Sequence, residues 1–131
     1  MDVPSPAVTM LQAGTPAIAI INLFDAHDEQ GQEHLLELLT QVTERVMKHQ
    51  PGFIAANLHV SHPSPMAATR YVANYAQWSS VEAISGMLGN PEAKEHMDWI
   101  EHHSGYRRVG APFSLVSVIH PEPSLSHQST S

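Results

Sequence analysis

The chain has 131 residues, a length that suits one domain, with 42% hydrophobic residues to build its interior. Thirteen acidic residues against six basic ones leave a formal charge of −7, and the one adjacent basic pair, Arg107-Arg108, is too short to track a phosphate chain, which argues against a nucleic-acid partner. The absence of cysteine removes disulfides, thiol redox chemistry and cysteine-ligated metal sites.

No apolar stretch is long enough to span a bilayer, and MDVPSPAVTMLQAGTP lacks both the basic start and the unbroken apolar core of a signal peptide. A cytoplasmic protein without membrane contact is expected. Residues 1–15 and 121–131, proline-bearing and polar respectively, read as flexible tails around a domain at 16–120.

Six periodic segments follow in order. Ala17 to Phe24, AIAIINLF, is short and isoleucine-rich, a strand too apolar to lie exposed. From about Gly31 to His49 the period becomes helical, with Leu35, Leu38, Leu39, Val42 and Val46 forming one stripe. Pro51-Gly52 ends it. Phe53 to Val60 is the second strand, and SHPSPMAAT is a loop because its prolines cannot donate to a ladder. Arg70 to Trp78 is the third strand. Ser79-Ser80 cap a second helical region that breaks at Gly89-Asn90-Pro91 and resumes through Met97, Trp99 and Ile100. Gly105 and Gly110 bound a loop, and Phe113 to Ile119, FSLVSVI, is the last strand.

The order β-α-β-β-α-β predicts an α+β, ferredoxin-like domain: an antiparallel sheet with helices on one face. Both parities of the strands are apolar, Ile18 and Ile20 against Ile21 and Leu23, then Leu115 and Ile119 against Val116 and Val118. The second face therefore needs cover, and a second copy of the sheet is the simplest cover, giving a homodimer. A ligand or an unrelated partner is the alternative.

Polar residues inside this pattern are the candidate site. Asn22 shares the parity of Ile18, Ile20 and Phe24, and a carboxamide there must find partners. Asn74 and Trp78 stand four apart on one face of the third strand, with Val72 and Ala76 beside and between them. Ile20, Phe24, Val72 and Ala76 are the candidate substrate-contacting residues. Each polar residue also has a plain structural role open to it, Asn22 at a bulge, Asn74 with a cross-strand hydroxyl, Trp78 in the core. Carboxamides keep their charge across physiological pH, so they suit stabilising an enolate or phenolate rather than hydrolysis.

Among the ten histidines, His59-x-x-His62 is the best metal spacing, but no third ligand accompanies it and no metal is assigned. His59 is a candidate proton acceptor, provided that it faces the cavity. Tyr71 and Tyr75, of opposite parity to Asn74, are expected beneath a helix. No glycine-rich nucleotide fingerprint is present, and no cofactor is assigned.

With Asn22 in the first strand, Asn74-Tyr-Ala-Gln-Trp78 in the third and Ser79 to Ala83 entering the second helix, residues 17 to 119 resemble the antibiotic biosynthesis monooxygenase domain family, of dimeric α+β barrel fold. Within it the chain is most similar to the cofactor-independent anthrone oxygenases of aromatic polyketide pathways. The resemblance implies oxidation of the central methylene of an anthrone to a quinone by O₂ without flavin or metal. It places catalytic roles on Asn22, Asn74 and Trp78, with Asn22 or Asn74 stabilising the enolate and the indole holding the ring system or donating to a reactive oxygen. Haem-degrading relatives carry a histidine where this chain has Met87 and Leu88, and the tyrosine and arginine that other anthrone oxygenases use from the second-helix side are here Ile84 and Asp98. A polyketide cyclase, a non-enzymatic dimeric binding protein and a haem degrader are the rival readings.

Overall fold

The computed structural model describes residues 13–66, 68–103 and 105–122. Strand β1 (Ile18–Asp25) leads to helix α1 (Glu29–Arg45) and a 3₁₀ turn (Met47–His49); β2 (Phe53–Val60) and β3 (Tyr71–Trp78) follow. Two helices, α2 (Val81–Leu88) and α3 (Pro91–His103), precede β4 (Arg107–Ser114). The four strands form one antiparallel sheet in the order β2-β3-β1-β4. This is the ferredoxin-like arrangement expected from the chain order, with its second helical region divided at Gly89-Asn90. Most of the two expected tails lies outside the described residues.

Local chemistry sets the element ends. Asp28 accepts a hydrogen bond from Gly31 N at 2.8 Å, so α1 starts two residues before the apolar period shows itself. Ser80 caps α2 in the same way, its Oγ accepting from Ala83 N at 3.1 Å. The turn into β2 uses Gly52 at φ +84°, where a Cβ would also run into Ala83 and Ser79. Leu35, Leu39 and Val42 of α1 are buried against Phe24, Val72 and Trp78 of the sheet, with Ile84, Met87, Ala93 and Ile100 closing the same core. Among the described residues all helices cover one face of the sheet, the face of Ile20, Asn22, Asn74 and Trp78.

The last strand departs from expectation. It runs over Arg107–Ser114, not Phe113 to Ile119, and the expected loop between Gly105 and Gly110 is largely strand. Its register explains why: Ser114 pairs with Ile18, the first residue of β1, so the more apolar run beyond it has no strand left to pair with. Pairing length outweighed hydrophobicity. Pro112 is tolerated because β4 is an edge strand. Val116 and Ile119 are exposed in consequence.

The opposite face is uncovered among the described residues. Cross-strand register puts Ala19, Ile21 and Leu23 there beside Ala73, Tyr75 and Gln77, with Val109, Ala111 and Phe113 from β4. Tyr71 and Tyr75 therefore face away from the helices and not beneath one. Leu23, Val109 and Phe113 are exposed, Val109 by 78%. An apolar groove of about 500 Å³ lies on this face, bounded by Ala19, Ile21, Ile54, Tyr75, Phe113 and Leu115.

Candidate active site

Asn22 and Asn74 are direct cross-strand partners of β1 and β3, and Ala76 and Trp78 continue the same face of β3 opposite Ile20 and Ile18. An irregularity in β2 between Phe53 and Ala55 leaves Ile54 without a partner and shifts the alternation, so Phe53 and Ala56 both turn to the helix side. Phe53 meets the Trp78 ring edge-on, with centroids 5.4 Å apart and an 88° interplanar angle. Thr43 of α1, Met47, Met87 of α2 and Met97 of α3 close the cavity from above. Asn22, Asn74 and Trp78 thus line one small cavity with Ile20 and Ala76. Phe24 and Val72 lie on the same face but belong to the adjoining core and not to the cavity wall.

Satisfaction of the buried polar groups separates structural amides from the rest. Gln32, 5% exposed, is fully employed: its Nε2 donates to Ser61 O and Tyr71 O, both at 2.9 Å, and its Oε1 accepts from Arg70 at 3.3 Å. That amide ties α1 to the loop before β3. Asn22, 4% exposed, has its Oδ1 committed to Arg108 Nη1 at 2.8 Å. Asn74 Oδ1 and Trp78 Nε1, in contrast, are sealed from solvent and have no hydrogen-bond partner among the described residues. Each such atom costs about 1–3 kcal/mol. Both residues line one cavity, and their unmet acceptor and donor would match a molecule carrying oxygens and a hydroxyl once neighbouring side chains shift.

None of the described residues lining the cavity ionises. His59 pairs with Ala73 and projects from the opposite face, where it is exposed, so it is not a proton acceptor for this cavity. Its candidacy depended on a register that sequence does not supply. The nearest cluster with metal-ligand chemistry is Asp98, Glu101 and His102, outside the cavity on α3. Both of its carboxylates are already engaged, Asp98 by Lys94 at 2.9 Å and Glu101 by Arg108 at 3.4 Å.

The cavity measures about 40 Å³, room for little more than a water molecule. Sites that enclose a drug-sized ligand are on the order of 300 Å³ or more. A multi-ring ligand therefore requires the lid to yield. Three methionines form much of that lid, and unbranched thioether side chains repack more readily than branched ones.

Arg108 carries no sequence signal for this contact, because the stretch from Gly105 to Gly110 reads as a loop. Its strand parity with Gly110, which pairs with Asn22, would have signalled it once β4 was correctly placed.

The model of a family described as antibiotic biosynthesis monooxygenase matches residues 17–99. The chain belongs to the antibiotic biosynthesis monooxygenase family. A relative from Streptomyces glaucescens, tetracenomycin-F1 monooxygenase, is 35% identical over 80 residues, which make up 61% of this chain and 66%, just under two thirds, of the relative. The fold is shared with a monooxygenase of Streptomyces coelicolor, ActVA-Orf6, solved with nanaomycin D: TM-score 0.66 and 22% identity over 82% of this chain and 94% of that one. It is shared as well with SnoaB, a cofactor-independent oxygenase of Streptomyces nogalater: TM-score 0.59 and 17% identity over 84% of this chain and 100% of the other. Among the described residues of this family member, no helix is long and apolar enough to cross a membrane.

Proposed function

We propose that the chain is a cofactor-independent monooxygenase that oxidises the central methylene carbon of an anthrone-type aromatic polyketide to the quinone with O₂. The observation that carries this reading is a cavity whose described lining has no ionisable group and is apolar but for Asn22, Thr43, Asn74 and Trp78, the last two with a buried, unmet acceptor and donor. Such a wall supplies no base, so the substrate must itself be acidic, as an anthrone is through its enol. The Trp78 indole N–H and the Asn22 NH₂ hold the enolate oxygen as negative charge develops, while Asn74 Oδ1 accepts from a substrate hydroxyl. The released proton passes to water. The carbanion gives one electron to O₂, the two radicals join at the same carbon, the peroxide anion takes a proton back from water, and the hydroperoxide loses water; CH₂ plus O₂ thereby become C=O plus H₂O. The relatives' names support the same class, a monooxygenase of tetracenomycin F1 and a monooxygenase that holds nanaomycin D.

The lid of Met47, Met87 and Met97 opens for the ring system and closes over it. A polyketide cyclase would need a proton shuttle, and the described lining offers none. The test is oxygen uptake by purified, metal-stripped protein given dithranol. Quinone formation above the uncatalysed rate, with one O₂ consumed per turnover, is expected; parity with buffer across a panel of anthrones would refute the proposal.

We further propose that the working form is a homodimer, cytoplasmic in setting, in which a second copy covers the open face. The exposed Leu23, Val109 and Phe113 and the apolar groove that Phe113 and Leu115 border share the face that no helix covers among the described residues, and a second copy would bury them.

A further inference from the structure

We propose that Arg108 is a positioning residue that fixes and polarises the Asn22 amide, and that Gly110 is the opening that lets the two meet; this rests on the role given to Asn22 above. A guanidinium can only donate hydrogen bonds, so the 2.8 Å contact from Arg108 Nη1 settles which end of the Asn22 amide faces β4. The carbonyl oxygen is taken. The NH₂ end is left to donate toward substrate. A charged donor on the oxygen also draws electron density from the amide, which strengthens its N–H groups as donors to a developing enolate.

The geometry depends on one missing side chain. Gly110 pairs with Asn22 across β1 and β4, and a Cβ at that position would overlap Asn22 Oδ1 and stand 2.8 Å from Arg108 Nη1. Its φ lies outside the left-handed region, so what Gly110 supplies is space and not backbone freedom. From the far side Glu101 of α3 faces Arg108 Nη2 at 3.4 Å, holding the guanidinium against β4. Arg108 is a quarter exposed and Asn22 is buried, so the arrangement carries a surface charge inward to an amide at the cavity wall. No ionisable side chain among the described residues enters the cavity to do it.

The experiment is a double-mutant cycle read by kinetics and by NMR. Arg108→Ala is expected to lower kcat on dithranol by about 10- to 100-fold with little change in KM, and Arg108→Lys to restore part of it. Gly110→Ala should reproduce the loss with the arginine still present. In an Asn22→Ala background Arg108→Ala should cost nothing more. A further loss there, or a Gly110→Ala enzyme as fast as wild type, would overturn the proposal. The Asn22 side-chain ¹⁵N–¹H₂ resonance, identified by its disappearance in Asn22→Ala, should move in Arg108→Ala and Gly110→Ala. An unmoved resonance in both would equally overturn it. If wild type oxidises no anthrone, the oxygenase reading fails by itself, and the resonance still decides whether Arg108 holds the amide.

Discussion

On the helix-covered face of the sheet, Asn74 Oδ1 and Trp78 Nε1 are polar atoms that lack a partner among the described residues; on the other face, Leu23, Val109 and Phe113 are apolar side chains that lack a cover. The deficits call for different remedies. An unmet hydrogen-bonding pair on residues that line a small cavity is answered by a small molecule with complementary polar atoms, held by direction and distance. A broad apolar surface is answered by area, and another protein surface supplies that best. The same strands carry both because alternate residues of a strand face opposite ways. The larger hollow, the 500 Å³ groove, is on the apolar side, and the 40 Å³ cavity lies among the amides.

Replacements on each face should break one function and spare the other. The largest effect is expected for Asn22→Ala, a fall of about 100-fold or more in kcat on an anthrone, with sedimentation velocity unchanged. Trp78→Phe retains the bulk and removes the N–H; about a tenfold loss in kcat with a near-normal melting temperature would show that the indole donor matters beyond packing. Leu23→Asp, opposite Val109 on the bare face, should weaken self-association by roughly tenfold or more, visible in concentration-dependent sedimentation, because it buries a charge. Dissociation with no change in Asn22 or Trp78 chemistry would sharpen the division between the faces.

Two smaller effects concern the scaffold. Ser80→Ala removes the bond from Ala83 N at the start of α2, and about 1 kcal/mol of stability is expected to go with it, measured by urea unfolding. Asp25, at the end of β1, accepts a 2.7 Å hydrogen bond from Thr69 Oγ1, and that bond, with the backbone N–H of His27, holds its carboxyl below the ordinary range. A depressed carboxyl contributes stability above its unfolded pKa that is lost as pH falls through the folded one. Asp25→Asn should therefore flatten the acid limb of the stability profile and leave activity at neutral pH intact.

Much of this was legible in the residues. The span of β2 follows directly from FIAANLHV, and the spacing of Asn74, Ala76 and Trp78 fixes their common face in any register. His59 and Tyr75 show the limit. Alternation says that each opposes or joins a neighbour, but not which face the helices will choose. β4 shows another: by composition LVSVI is the better strand, yet RRVGAPFS pairs, because a ladder extends only as far as its partner.

Sequence by itself determined the element order, the α+β class and the set of polar residues that interrupt apolar strands, since these depend on periods of two and 3.6 residues along a single chain. Tertiary structure alone decided that Asn22 faces Asn74, that Arg108 reaches Asn22 through the space at Gly110, and that the cavity is small. Those facts depend on register between strands far apart in the chain, and register is set by the whole packed sheet rather than by any segment of it.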